Sequence, residues 1–123
     1  MGQYYRIVNL DKKQYIKPHD FNDGAKLMEF ALSGDGTMAA LAVLLADGNG
    51  RGGGDMHSQD ALVGSWAGDR VVITGDYADN GKFVPDDGDK EAPLYSYTEE
   101  HCENISAKVR AVFRAAGETI RGG

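Results

Sequence analysis

Gly48-Asn49-Gly50-Arg51-Gly52-Gly53-Gly54-Asp55 sets five glycines around one arginine. Glycine has no Cβ, so such a run bares backbone N–H groups and lets the chain approach an anion closely. A guanidinium in its midst adds bidentate, charge-assisted contacts of the kind that hold phosphate or carboxylate. Anion binding is the chemistry these residues point to. The expected ligand-binding set is Gly50, Arg51, Gly52, Gly53, Gly54 and Asp55, with His57, the aromatic Trp66, and Arg70 as a second clamp. The loop matches no phosphate-binding fingerprint, and it also reads as a flexible connection between two core elements. Trp66 equally reads as a core anchor of a sheet, and Asp55 and Asp69 as salt-bridge partners of the two arginines.

The other reactive side chains lack the spacing that chemistry needs. His19, His57 and His101 are scattered, none with a second His or Cys at a ligand distance, so no metal and no cofactor are expected. Asp76-Tyr77-Ala78-Asp79-Asn80-Gly81 holds oxygen ligands but departs from the alternation of a calcium loop and reads as a tight turn. Ser65, in Val63-Gly64-Ser65-Trp66-Ala67, lacks the second glycine of a nucleophile elbow. Cys102 is the single cysteine, so no internal disulfide forms, and a half-buried place near the end of the chain suits it.

Composition narrows the class. At 123 residues and 41% hydrophobic, the chain has material for one modest core, and a single domain over 1–123 is expected. The opening residues lack the apolar run of a secretory signal, Arg6 stands where a myristoylation motif needs Ser or Thr, and no segment has the length of a membrane span. A soluble protein of the cytoplasm is the expectation. The net charge of −6 is uneven: positions 76–103 hold nine acids and two lysines, which leaves +1 for the rest. Direct nucleic-acid binding is not expected without a basic footprint. The acidic stretch reads as a solvated loop over 78–93, or as a surface that docks on a basic protein face.

The elements that must position these groups suggest an α+β fold. Tyr4 to Leu10 alternates as a strand and Gln14 to Ile16 returns, so 3–17 reads as a hairpin. Asn22 or Asp23 is placed to cap a helix through 25–32, with Leu27, Phe30 and Ala31 on one face. Met38 to Ala46 is apolar all round, which leaves helix and strand open; the sheet-like run at 61–77 needs a partner and tips the reading toward a central strand. Residues 61–66 and 70–77 read as a second hairpin across Ala67-Gly68-Asp69, and 94–97 as a short strand. Ile105, Val109, Val112, Phe113 and Ala116 recur at helical spacing behind an Asn104 cap, and 118–123 reads as a flexible tail. The fold expected is a small, largely antiparallel sheet with two helices packed on it.

Several of these segments carry a resemblance. Met1-Gly2-Gln3-Tyr4-Tyr5 with Val8-Asn9-Leu10-Asp11-Lys12, Gly24-Ala25-Lys26-Leu27 with Glu29-Phe30, Gly53-Gly54-Asp55, Val63-Gly64-Ser65-Trp66-Ala67-Gly68-Asp69-Arg70, Gly75-Asp76-Tyr77 and Asn104-Ile105-Ser106 together resemble a family of small bacteriophage and bacterial proteins with no settled activity. The resemblance implies a phage-type accessory protein that acts on its host by binding. The expected function is non-enzymatic: antagonism of a host defence process, by sequestering a small anionic, nucleotide-like ligand or by occupying a host protein. The alternative is a small enzyme acting on a nucleotide or glycosidic substrate through Asp55, Asp69 and Asp76. The oligomeric state stays open, a homo-oligomer included.

Overall fold

Residues 5–9 carry the aromatic and β-branched side chains that suit a pleated strand. In the structure, a computed structural model describing residues 2–123, they form the central strand β1 (Tyr5–Asn9). Met1, the first residue of the opening motif, lies outside the described residues. β2 (Gln14–Ile16) returns antiparallel, with Ile7 opposite Ile16 and Asn9 opposite Gln14, so the expected hairpin forms. On its other side β1 pairs antiparallel with β3 (Val71–Gly75), Ile7 facing Ile73. The two-residue β4 (Glu103–Asn104) joins β2 in parallel and completes the order β3-β1-β2-β4.

Strand alternation sends neighbouring residues to opposite faces. Ile7 and Ile16 enter the larger core with Phe21, Phe30, Leu44, Trp66, Val109 and Phe113, while Val8 and Tyr15 meet Val84, Leu94 and Tyr97 on the other face. β1 is therefore covered on both sides, and Ile7, Val8 and Asn9 are fully buried. A 3₁₀ turn (Pro18–Phe21) leads to α1 (Leu27–Phe30) and α2 (Thr37–Leu45), and α3 (Leu94–His101) and α4 (Ser106–Ala115) follow β3. The result is a small α+β domain with a mostly antiparallel sheet.

Helix α4 forms where its periodicity predicts, with the side-chain oxygen of Asn104 accepting the Ser106 N–H at 3.0 Å and Val109, Val112 and Phe113 buried. The apolar run at 38–46 is a helix and not the central strand expected. It has one β-branched residue among strong helix formers, and both its ends are satisfied from elsewhere in the chain. Asp23 accepts the Thr37 N–H at 2.8 Å and its hydroxyl at 2.7 Å, while the N–H groups of Gly64 and Trp66 donate to the carbonyls of Val43 and Leu44, both at 2.9 Å.

The same hydrogen bonds explain why the second hairpin is absent. Residues 61–69 form successive turns that cap α2, and β3 takes β1 as its partner in their place. Gly64 sits at φ 74°, and a Cβ there would come within 2.5 Å of the Ala46 carbonyl oxygen, so only glycine fits this approach. The expected helix over 25–32 shrinks to the four residues of α1, with Phe30 buried but Leu27 exposed, because Asp23 caps α2 and not α1. The strand expected at 94–97 is the start of α3, whose Leu94, Tyr97 and Thr98 are buried at helical spacing behind Pro93. Residues 118–123, expected as a flexible tail, fold back: Ile120 joins the core, and Arg121 holds Asp23, Asp35 and the Asn22 carbonyl.

Candidate functional site

The glycine loop is internally braced. One carboxylate oxygen of Asp55 accepts the N–H groups of Gly50 at 2.9 Å, Arg51 at 2.9 Å and Gly52 at 3.0 Å, and the Asn49 side-chain oxygen accepts the Met56 N–H at 2.9 Å. Gly48, Gly50 and Gly54 all take positive φ, between 82° and 89°, which turns the donors inward. The backbone donors of the glycine loop thus converge on the chain's own Asp55. These hydrogen bonds, led by those from Arg51 and Gly52, hold the Asp55 carboxyl below the usual carboxylate range. An external phosphate would have to displace a resident anion.

Arg51 and His57 are exposed beside this braced loop, as are Gly52, Gly53 and Gly54. Arg51 lines an open groove of about 300 Å³ with Asp47, Asn49, Ser58 and Asp60. Two acids against one arginine leave this groove unsuited to an anion. Trp66 and Arg70 are not among the residues that line it. Trp66 is fully buried, its indole N–H donating to the Gln14 side-chain oxygen at 2.8 Å, so it is the core anchor. Arg70 forks onto Asp11 through Nε at 3.0 Å and Nη2 at 2.8 Å, while its backbone N–H meets the other Asp11 oxygen at 2.7 Å.

The acids named for an enzymatic reading serve as ties. Asp69 accepts from the Asn9 amide at 2.8 Å and Lys12 at 2.6 Å, and the first of these dominates in lowering its pKa. Asp76 accepts the Tyr4 N–H at 3.0 Å. Asn9 in turn receives the N–H groups of Asp11 and Lys12, so the Asp69-Arg70 pair pins the β1–β2 turn to the start of β3. Ser65 keeps a buried hydroxyl with no hydrogen-bond partner among the described residues, and burial pushes the Cys102 thiol up, away from reactive thiolate. No cluster of three metal-ligating side chains occurs among the described residues.

The acidic stretch is only partly solvated. Asp87 accepts from Lys13 at 2.6 Å and from the Tyr97 hydroxyl at 2.7 Å, and these bonds lower its pKa to about 2. Glu99 is tied to Arg6, and Glu103 to Lys108. Asp79, Asp86, Asp89 and Glu91 remain exposed. Among them stands Phe83, which sequence reasoning missed: it has φ 61° and is 57% exposed. Tyr77, at the start of the same connection, is 61% exposed. An aromatic residue inside a charge run was the available signal. No helix among the described residues is long and apolar enough to cross a membrane. Comparisons with protein-family models, curated proteins and solved structures each found no match.

Proposed function

We propose that this chain is a non-catalytic accessory binding protein of the phage type, acting in the cytoplasm of a bacterial host by occupying a basic face of a host protein. The observation that carries this reading is Phe83. A bulky side chain at positive φ costs on the order of 1–3 kcal/mol. Here the residue lies largely in solvent, with the Lys82 ammonium 5.6 Å from its ring centroid. Exposed aromatic rings are the side chains that anchor protein interfaces. Around it, Asp79, Asp86, Asp89 and Glu91 supply a charge that steers toward a positive partner. Within the glycine loop, Asp55 already takes the backbone donors, which favours the protein partner over a nucleotide at that position.

The test separates binding from folding. Phe83→Gly removes the ring and relieves the φ strain, so the melting temperature should stay level or rise while affinity for the host partner falls about tenfold or more. The triple variant D86N/D89N/E91Q should weaken association further and flatten its salt dependence. Asp87 belongs outside this set because it is a structural tie. Affinity of both variants equal to the wild type, measured against the captured partner, would overturn the assignment.

A further inference from the structure

Arg6 is the charged residue of β1, and it is 6% exposed. Its guanidinium carbon lies 4.2 Å from the ring centroid of Tyr95 and 5.4 Å from that of Tyr15, so the group is held between two aromatic faces. Nη1 donates to Thr98 Oγ1 at 2.9 Å and to the Tyr95 carbonyl at 3.4 Å, and Nη2 donates to Glu99 at 2.8 Å. Nε is buried with no hydrogen-bond partner among the described residues. A buried donor left unpaired is costly, and the native structure must recover that cost somewhere.

Arg6 also lines a small pocket with Tyr4, Lys17, His19 and Tyr95, of about 60 Å³. At roughly 30 Å³ per water molecule, that is the room of a single phosphate or carboxylate headgroup. Cations gather here in a chain of net charge −6, and the one acid bonded to Arg6 is Glu99, whose side chain is 65% exposed. Asp20, in the neighbouring turn, accepts from Asn104. Lys17 lines the same pocket.

We infer that this pocket is a binding site for a small phosphate monoester bearing a planar ring, which replaces Glu99, itself outside the pocket lining, on the Arg6 guanidinium. The phosphate takes the Nε–Nη2 edge of Arg6 as a side-on bidentate pair, Glu99 swings into solvent, and Lys17 and His19 meet the remaining oxygens. Three donor groups from different directions suit a tetrahedral anion better than a planar carboxylate. The ring stays outside the pocket, against the exposed Tyr4 face and the His19 ring that lies 6.3 Å from it. The site is independent of the acidic face, so variants at Phe83 or Asp86 leave it unchanged.

The probes are inorganic phosphate, a nucleoside 5′-monophosphate, the matching nucleoside and a phosphotyrosine peptide, titrated against the full chain by calorimetry and by NMR of the Arg6 Nε–H. The nucleotide should bind more tightly than phosphate, the nucleoside should not bind, and the Arg6 signal should shift. Glu99→Gln removes the charged competitor and should tighten nucleotide binding about fivefold, while Lys17→Ala, losing one charge-assisted contact, should weaken it about tenfold. Neither residue is buried in the core, and equal melting temperatures confirm that the fold is kept. The site is overturned if neither anion binds saturably to wild type or Glu99→Gln, or if Lys17→Ala binds like the wild type. A nucleotide no tighter than phosphate, or a peptide tighter than the nucleotide, overturns the ligand class.

Discussion

Asp87 looks like one more acid in an acidic loop, yet it joins the hairpin to α3 through Lys13 and Tyr97, with the His101 ring stacked on Tyr97 at 4.5 Å. A carboxyl whose folded pKa is about 2 binds its proton later than in the unfolded chain, where about 4 is usual. Its contribution to stability is therefore present above about pH 4 and is lost as pH falls toward about 2. Asp11, Asp55, Asp69 and Glu99 shift in the same direction, so their contributions too are lost as pH falls. Asp87→Asn should make the fall in melting temperature between about pH 4 and about pH 2 visibly smaller than in the wild type. Thermal melts by circular dichroism across that range check it; an identical fall in both proteins would show that Asp87 has no part in acid destabilisation.

Helix α2 shows how an element depends on groups remote in sequence. Asp23 is 8% exposed, receives two hydrogen bonds from Thr37 and is bridged by Arg121, so one carboxylate joins the start of α2 to the C-terminal segment. Burial raises its pKa, but the Thr37 bonds, with Arg121, outweigh that and bring it below the ordinary value. Asp23→Ala removes an N-terminal cap and leaves a guanidinium without its partner, which should cost roughly 2 kcal/mol, or on the order of 8 °C in melting temperature. Amide exchange should also quicken in residues 37–40 and at Arg121 together. Exchange that quickens in the helix alone would show that the C-terminal segment is held independently.

Across the whole molecule the sheet is packed on both sides: the larger core lies under α2 and α4, and the smaller one lies against α3. Val112 is 5% exposed in the larger core, where a carboxylate would lose most of its hydration. Val112→Asp should destabilise the domain by about 4 kcal/mol or more, enough to unfold most of a marginally stable chain. A melting curve like that of the wild type would refute the packing of α4. The charge pattern follows the same division. Lys13, Arg6 and Lys108 neutralise the acids nearest the sheet, and the exposed acids gather in the connection that carries Phe83.

Short-range periodicity was legible wherever one element buries one face. The hairpin at β1 and β2, the strand Val71–Gly75, the amphipathic α4 and the α+β class can all be read from spacing alone. The concentration of acids at 76–103 was equally plain. The tertiary structure decided what depends on distant hydrogen-bond partners. Met38 to Leu45 is a helix because Asp23 and the N–H groups at 64 and 66 satisfy its ends, and the same bonds take 61–66 away from the sheet. The Leu94, Tyr97 and Thr98 spacing of α3 was present in the sequence but was outweighed by the strand propensity of its tyrosines. The glycine-loop donors were foreseen, but a carboxylate five residues on from Gly50 closes them, and Trp66 turns inward to Gln14. Composition states which groups a loop can offer. Only the folded chain settles which of them its own residues have already taken, because each buried donor or acceptor must find a partner and the nearest one in space is seldom the nearest in sequence.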